Sequence, residues 1–292
     1  MRLMHVGFAK VAFGTLAIGS MVAISGQSAS AATRAPSSGF NDWSCRPSAA
    51  HPDPLVLVHG LGGNGPGNFA YLGPYLAGAG YCAFSLTYGQ ASPLIPVGGT
   101  IAIADSASQI TAFIDQVRTA TGAAKVDLVG HSEGAFQSLY IPKVLAYGDR
   151  VGRVVALAPP THGTTFVGLV SVGDFLGLRP LVDTVLNTFG CQACDQLITG
   201  GSAVQTLTAG PIAQPGVDYT IIASQADILV VPHETSFVRE PGVHNLFVQD
   251  VCPLDVVGHV GLAFDPSVAQ LVANALDPAH ASPVTCGFGP PL

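Results

Sequence analysis

Charged residues are scarce in this chain of 292 residues. Asp, Glu, Lys and Arg together make up 10% of it, against a usual share of about 25%. The 11 Lys and Arg residues are scattered and form no basic run, and 18 acidic residues leave a net charge of −7. Because binding to phosphate backbones needs clustered cations, this composition argues against a nucleic-acid partner. The 35 Gly and 22 Pro residues are typical of a compact, loop-rich extracellular enzyme.

Apolar runs long enough to cross a membrane are also missing. The stretch Val11 to Ile24 falls short of the ~20 residues that a span requires. Arg2 and Lys10 precede it, and the small-residue motif Ala29-Ser30-Ala31 follows. This pattern predicts a secretory signal over residues 1–31, cleaved before Ala32, with a retained membrane anchor as the alternative. We therefore expect an exported, soluble mature protein with no transmembrane span.

The six cysteines predict disulfides, since an exported chain folds in an oxidising compartment. Six cysteines allow fifteen pairings, and sequence does not choose among them. The pairing we expect ties the lead-in to a strand, closes a tight loop and fastens the tail: Cys45–Cys82, Cys191–Cys194 and Cys252–Cys286. A zinc site is not expected, because no second Cys or His pair has the spacing of a four-ligand set.

Strand and helix patterns alternate along the chain. Apolar runs predict strands over 54–60, 81–88, 126–129, 151–157, 219–223 and 245–249, and spaced apolar residues predict helices over 69–79, 101–121, 134–145 and 265–275. This alternation predicts one α/β domain over 32–292, with a mostly parallel central sheet and helices on both faces.

Residues 161–201 interrupt this alternation. The segment is far longer than an ordinary connection between sheet strands, and it is apolar with few charges. We predict that it forms one or two amphipathic helices as a cap or lid insertion above the site. The alternative is that its apolar side chains only thicken the core.

The motif Gly130-x-Ser132-x-Gly134 directly follows the apolar strand at 126–129 and precedes helix-forming residues. In this strand-turn-helix context the motif is typical of a nucleophile elbow, in which the serine hydroxyl stands clear at the tip of a strand. The glycines leave room for the helix to pass closely. Ser132 is therefore the predicted nucleophile, and an ordinary strand-to-helix turn is the alternative interpretation.

A serine nucleophile needs a base and an acid that orients the base. In this architecture the chain order is Ser, acid, His. Asp227 follows the strand at 219–223 and is the predicted acid, while His259 lies between a strand and the last helix and is the predicted base. Less favoured acids are Asp250, Asp255, Asp195 and Asp183. Less favoured bases are His233, His244 and His280, while His59, His131 and His162 are interpreted as structural.

Stabilising an oxyanion requires two preorganised N–H donors. The backbone N–H groups of Leu61, in the glycine loop after the first strand, and Glu133, after the nucleophile, are the predicted donors. The Glu133 side chain is predicted to be incidental to this role.

These residues together resemble the secreted actinobacterial lipases of the α/β-hydrolase superfamily, the class 2 lipase group. The segments that carry the resemblance span most of the mature chain: Asn41-Asp42-Trp43-Ser44-Cys45, Leu57-Val58-His59-Gly60, Gly130-His131-Ser132-Glu133-Gly134, Ser224-Gln225-Ala226-Asp227, Gln249-Asp250-Val251-Cys252-Pro253 and Gly258-His259-Val260-Gly261. The resemblance implies hydrolysis of triacylglycerols or other carboxylic esters by Ser132, Asp227 and His259, without a cofactor or metal. One departure is Glu133, where such lipases often carry Gln.

The predicted function is therefore a secreted serine ester hydrolase (a triacylglycerol lipase or carboxylesterase), most simply a monomer, acting on lipid or small ester substrates. Two alternatives stay open: an acyltransferase acting on cell-envelope acceptors, and a catalytically silent envelope-binding protein.

Overall fold

The computed structural model describes residues 39–165 and 190–291. They contain a six-stranded sheet in the order β2-β1-β3-β4-β5-β6, in which every neighbouring pair is parallel. The strands are β1 (Leu55–Val58), β2 (Ala83–Ser85), β3 (Val126–His131), β4 (Val151–Leu157), β5 (Asp218–Ala223) and β6 (Val243–Phe247). The predicted parallel sheet is confirmed.

Helices lie between and after these strands. They are α1 (Gly65–Asn68), α2 (Leu72–Gly78), α3 (Ile103–Thr121), α4 (Glu133–Val144), α5 (Gln192–Leu197), α6 (Ser202–Thr208), α7 (Val248–Val251) and α8 (Pro266–Leu276). Among the described residues, no helix combines the length and apolar character that crossing a bilayer would need.

The central strands read as unbroken apolar runs because both faces of the sheet are covered. In β1, Val56 and Val58 point into one core layer, while Leu55 and Leu57 point into the layer on the opposite face. All four side chains are fully buried. Helix α3 packs on the first of these faces with residues at helical spacing, and α8 packs on the second. Packing on both faces thus holds the strands in place, including the edge of the sheet at which their carboxyl ends lie.

The predicted limits of the last strand and of the second strand differ most from the structure. The last strand begins at Val243 and ends at Phe247, because the Asp250 carboxylate accepts a hydrogen bond from the Phe247 N–H at 2.8 Å and starts α7 there. His244, predicted to precede this strand, lies inside it, opposite Thr220. Strand β2 is shorter than predicted because the chain leaves the sheet after Ser85.

Helix α5, which lies in a described part of the predicted cap, packs on the core through two of its residues. Helix α5 buries Ala193 and Leu197, and the Gln196 side chain accepts a hydrogen bond from the Ile103 N–H at 2.7 Å, at the start of α3. The remaining residues of the predicted cap, 166–189, which include Asp183, lie outside the described residues.

Three disulfides join Cys45 to Cys82, Cys191 to Cys194 and Cys252 to Cys286. The first connects the lead-in to the residue before β2. The third connects the residue after α7 to the C-terminal tail, so that the segment leading to His259 is anchored at its start.

Asp127 is a buried carboxyl in β3, at the end of the sheet away from Ser132. Its Oδ1 accepts a hydrogen bond from the Arg153 N–H at 2.7 Å. Burial, reinforced by the nearby charge of Asp53, raises the pKa of Asp127 to about 7. The unfolded chain has a carboxyl pKa of about 3.9 at this residue. The folded protein therefore binds this proton more tightly than the unfolded chain does.

This difference predicts a pH-dependent stability. The protonated Asp127 carboxyl contributes to the free energy of unfolding. This contribution is fully present below pH ~4 and is lost as the pH rises towards ~7. Asp127→Asn, which stays neutral, should therefore be more stable than the native protein at pH 8, by on the order of a few kcal/mol, with no such gain at pH 4. Thermal unfolding at both pH values measures this, with the exposed Asp149→Asn as control. Equal Tm differences at the two pH values would contradict the prediction.

Candidate active site

Ser132 connects β3 to α4 in a strained backbone conformation. Its φ of 57° and ψ of −120° are values that residues with a side chain rarely adopt. The Ser132 N–H donates to the Leu157 carbonyl at 2.8 Å, and its own carbonyl accepts from the Phe136 N–H at 3.0 Å. These bonds to β4 and α4 hold the turn, which has the geometry expected of a nucleophile elbow.

Both glycines of the motif are required by close backbone contacts. A Cβ atom on Gly134 would lie 1.9 Å from the Val58 carbonyl oxygen. A Cβ on Gly130 would lie 2.3 Å from the Gly134 carbonyl oxygen. Helix α4 therefore packs so closely on β1 and β3 that only glycine fits at residues 130 and 134. This close packing brings the first N–H groups of α4 to the edge of the sheet.

Gly134→Ala is accordingly expected to prevent folding to the native state, because the new methyl group overlaps main-chain oxygen that cannot move aside. Gly78→Ala is the matched control: Gly78 ends α2, and its Cβ would meet nothing within 4 Å. We expect Gly78→Ala to leave Tm unchanged or to raise it, since alanine favours a helix by up to ~1 kcal/mol. A soluble Gly134→Ala protein with native Tm would contradict this.

Asp227 and His259, the predicted acid and base, are in direct contact. His259 Nδ1 lies 2.6 Å from Asp227 Oδ2, and both side chains are almost completely buried. The other carboxylate oxygen, Oδ1, accepts hydrogen bonds from the N–H groups of Leu229 at 2.7 Å and Val230 at 2.9 Å. Asp227 thus presents one oxygen to the imidazole and fixes the other on the backbone.

The electrostatics of this pair favour a charged carboxylate. Burial by itself would raise the pKa of Asp227. The interactions with His259 and with the two backbone N–H groups outweigh burial, so that the pKa lies below its ordinary value. A negative Asp227 therefore faces His259 at neutral pH and stabilises the protonated imidazole.

Two polar side chains tie the loop of the acid to the loop of the base. The Ser224 hydroxyl donates to the Val257 carbonyl at 2.5 Å. The Gln249 amide donates to Ser224 Oγ at 3.1 Å and to the Asp255 carbonyl at 2.9 Å. The segments that follow β5 and α7 are therefore bonded to each other within a few residues of both Asp227 and His259.

His131 connects the elbow to the loop of the base. Its Nε2 lies 2.9 Å from the His259 carbonyl oxygen, and the two rings are 5.1 Å apart between centroids. Since a carbonyl oxygen only accepts, we assign the ring proton to Nε2. Burial lowers the pKa of His131 to about 3, so the ring is neutral. His131, interpreted from sequence only as structural, holds the backbone of His259 beside Ser132.

The contact between nucleophile and base is not made. Within residues 39–165 and 190–291, no hydrogen bond joins the partly exposed Ser132 hydroxyl to His259. Such bonds are often long or poorly aligned in an enzyme without substrate and tighten in the substrate complex. The described residues bring Asp227 and His259 together, and His131, which precedes Ser132, bonds to the His259 backbone.

The glycine loop after β1, residues 61–65, is held by hydrogen bonds to Gly98. The Gly62 N–H donates to the Gly98 carbonyl at 2.9 Å, and the Gly98 N–H donates to the Gly63 carbonyl at 2.7 Å. No backbone acceptor in the described residues takes the N–H groups of Leu61 or Glu133. Gly60 packs against Ser132, since a Cβ there would lie 3.0 Å from the serine Cβ. Both predicted oxyanion donors are therefore available near the nucleophile.

The less favoured residues have structural contacts. Asp250 caps α7, and the Asp255 carboxylate accepts from the Val257 N–H and the Ser267 hydroxyl. His59 is stacked on Tyr88 at 4.3 Å, and His162 contacts the Phe237 carbonyl. The other histidines also bond nearby: His233 meets the Asp227 carbonyl and His280 meets Asp277. No cluster of His, Cys, Asp or Glu able to hold a metal ion occurs in the described part of the chain.

Comparison with known proteins agrees with this geometry. Residues 52–271 match the family described as Lipase (class 2). Two curated proteins named triacylglycerol lipase, from Pseudarthrobacter phenanthrenivorans and Burkholderia plantarii, are each 30% identical over 179 residues. Each match covers 55% of this chain, and 51% and 45% of the respective relative. The chain thus spans about half the length of the curated relatives it matches.

Solved structures show the same fold. Aspergillus fumigatus lipase B is similar with a TM-score of 0.60 at 18% identity, over 82% of this chain and 56% of that one. An α/β-hydrolase enzyme from a sediment metagenome of the Mar Chica lagoon is similar with a TM-score of 0.52 at 18% identity, over 78% of this chain and 90% of that one. The fold is that of an α/β-hydrolase, and with three quarters of its length matched by the family, this chain belongs to the class 2 lipases.

Proposed function

We propose that this chain is a serine ester hydrolase that cleaves lipid or other apolar carboxylic esters through Ser132, His259 and Asp227. The observation that carries the proposal is the buried 2.6 Å contact between His259 Nδ1 and Asp227 Oδ2, beside a serine held in a strained turn. The names of the two curated relatives support triacylglycerols as the substrate class.

In the proposed reaction, the Ser132 hydroxyl attacks the ester carbonyl and its proton moves to His259 Nε2. The Asp227 carboxylate holds Nδ1–H, so the imidazole keeps the tautomer in which Nε2 accepts, and its positive charge is stabilised. The carbonyl oxygen becomes an oxyanion, which accepts hydrogen bonds from the N–H groups of Leu61 and Glu133. Each such donor contributes about 3 kcal/mol to the transition state.

The second half of the reaction regenerates the serine. The protonated His259 gives its proton to the departing alcohol, and an acyl group remains on Ser132 Oγ. Water then attacks this acyl group while His259 removes its proton, and the carboxylic acid leaves. The sequence of steps needs no cofactor, since the proton moves only between the serine, the histidine, the alcohol and water.

The proposal extends to the whole chain. Residues 1–31 act as a signal that is removed on export, and 32–292 form the monomeric secreted hydrolase, with 161–201 as a cap insertion above the apolar substrate. Three disulfides support an oxidising compartment. N-terminal sequencing of the exported protein should begin at Ala32.

A fluorophosphonate probe tests the proposed chemistry. It reacts with a serine hydroxyl only where a base and an oxyanion site activate it, so one probe molecule should attach to Ser132, identified by peptide mass spectrometry. Pretreatment with the probe should remove all hydrolysis of p-nitrophenyl butyrate.

Failure of the native protein to label would refute the proposal and would favour a binding protein without activity. Turnover of p-nitrophenyl butyrate with an added alcohol acceptor tests the transferase alternative: if the acyl group passes mainly to the alcohol rather than to water, the chain is a transferase. Rates on esters of increasing chain length then define the substrate.

A further inference from the structure

The Glu133 side chain is fully buried directly beside Ser132 and has no charged partner in the described residues. It is 0% exposed, and neither carboxyl oxygen has a hydrogen-bond partner among the described residues. No ion pair with it occurs in the described part of the chain either. Leaving a charged carboxylate in such a place costs several kcal/mol or more. The side chain therefore needs an explanation beyond the backbone N–H that the same residue supplies.

The polar groups around Glu133 offer acceptors. The Tyr88 hydroxyl faces the carboxyl group, and it already donates its only proton to the His59 carbonyl at 2.7 Å. The Gln137 amide nitrogen donates to the Ile103 carbonyl at 3.1 Å, which leaves its buried oxygen Oε1 unpaired. A carboxylic acid can donate its proton to either of these oxygens, whereas a carboxylate can only accept, from the Tyr88 hydroxyl or from the second N–H of Gln137. The surroundings therefore match the protonated form of Glu133.

No neighbouring positive charge in the described residues compensates an ionised Glu133. The Gln137 amide and the Tyr88 hydroxyl favour the carboxylate, but burial outweighs both. Burial lowers the pKa of His59 to about 4, and that of His131 to about 3, so both rings are neutral where the enzyme works. Burial also raises the pKa of Tyr88 well above its ordinary value. The same burial raises the pKa of Glu133 well above the usual range of a carboxyl. Burial therefore favours the neutral form of each of these four groups.

The segment lying on the Glu133 carboxyl is the one that fixes the glycine loop. A Cβ on Gly99 would lie 2.3 Å from Glu133 Oε2 and 3.2 Å from the Leu61 Cα. Gly98, the preceding residue, makes the two hydrogen bonds that hold Gly62 and Gly63. The Glu133 carboxyl group thus supports the loop that carries the Leu61 N–H. It does so through the 98–99 segment, which contacts both.

We propose that Glu133 is a positioning residue that works as a neutral carboxylic acid: it supports the 98–99 segment and thereby sets the Leu61 N–H for the oxyanion, and its ionisation ends activity at alkaline pH. On ionisation the proton leaves to solvent, and the carboxylate repels the oxygens around it and displaces the segment above. The inference rests on the proposed ester hydrolysis, and it assigns the loss of that activity at alkaline pH to Glu133.

The kinetic test compares pH profiles of kcat and KM for p-nitrophenyl butyrate in the native protein, Glu133→Gln, Glu133→Ala and the exposed control Glu234→Gln. The native protein and Glu234→Gln should lose kcat at alkaline pH. Glu133→Gln, which is neutral and has no ionisable group, should lose this alkaline decline when each profile is scaled to its own maximum. Glu133→Ala should lower kcat at neutral pH by about tenfold or more, with KM changed by less than about threefold.

A second measurement uses the native protein alone. The chain contains three glutamates, Glu133, Glu234 and Glu240, so carbon-13 labelling of glutamate carboxyls gives three resonances. One resonance should stay in the carboxylic acid position at pH 7 and titrate together with the loss of kcat. The variants Glu234→Gln and Glu240→Gln assign the other two resonances, so the result does not depend on Glu133→Gln folding.

Three carboxylate resonances at pH 7, or an alkaline decline in Glu133→Gln like that of the native protein, would overturn the inference. Fluorophosphonate labelling separates the two proposals: labelling and turnover in the native protein with either of these results refutes only the role of Glu133. Absence of labelling and turnover refutes the proposed hydrolase itself.

Discussion

Ser132→Ala is expected to lower kcat for p-nitrophenyl butyrate by about five to six orders of magnitude. The reason is that Ser132 supplies the hydroxyl at the tip of β3, where the backbone bonds to Leu157 and Phe136 hold it beside His131. A water molecule attacking without the acyl intermediate would still be assisted by the oxyanion donors, so a small residual rate remains. Alanine keeps the fold because the strained turn is stabilised by backbone bonds and not by the hydroxyl.

Ser108→Ala is the matched control, since Ser108 lies exposed on α3 and its hydroxyl bonds only to the Ala104 carbonyl. It should keep the native kcat, and both variants should keep the native Tm. If Ser132→Ala with native Tm retained more than about one thousandth of kcat, the assignment of the nucleophile would be wrong.

Asp227→Asn is expected to lower kcat by about 10⁴-fold at neutral pH. The two backbone N–H groups of Leu229 and Val230 require an acceptor, so the asparagine oxygen must take the place of Oδ1. Its NH₂ group then points at His259 Nδ1, where it donates. Nδ1 becomes an acceptor, the ring proton moves to Nε2, and His259 no longer accepts the proton of Ser132.

Asp250→Asn is the control for this substitution. Asp250 was the rival acid in the sequence, and it caps α7 through the Phe247 N–H, a role that asparagine also fulfils. We expect kcat within about threefold of the native value. A loss in Asp250→Asn as large as that in Asp227→Asn would show that the acid had been misidentified.

The elbow could be predicted from sequence because its requirements are local. An apolar strand, two glycines in close backbone contact and a serine between them are adjacent in the chain, and the distances at Gly130 and Gly134 explain why no other residues fit there. The parallel sheet was predictable for a similar reason: strands covered on both faces are apolar at every residue, as in β1.

The connections between distant loops were not predictable. The bond from His131 to the His259 backbone joins residues 128 apart in the chain, and Ser224 and Gln249 reach across two loops with side chains common in any turn. Nothing in their local sequence distinguishes them from solvated polar residues. The burial of the Glu133 side chain was not predictable either, because Tyr88 and Gly99, which lie against it, are far from it in the chain.

At the end of β6, one side-chain hydrogen bond ends the strand although the apolar sequence pattern continues. The run from Asn245 to Gln249 continues the apolar strand composition past Phe247. The Asp250 side chain nevertheless captures the Phe247 N–H and turns the chain into α7. The strand therefore ends two residues early. It also begins two residues early, where Val243 pairs with Tyr219, so His244 lies inside the sheet.

The most direct test of the account is a crystal structure of the protein after reaction with an alkyl fluorophosphonate. We predict phosphorus bonded to Ser132 Oγ, with a phosphoryl oxygen about 2.7–3.1 Å from the N–H groups of Leu61 and Glu133. His259 Nε2 should lie within hydrogen-bonding distance of Ser132 Oγ while its Nδ1 keeps the contact with Asp227. An adduct on another residue, or a His259 ring that stays out of reach of Ser132 Oγ, would contradict the account.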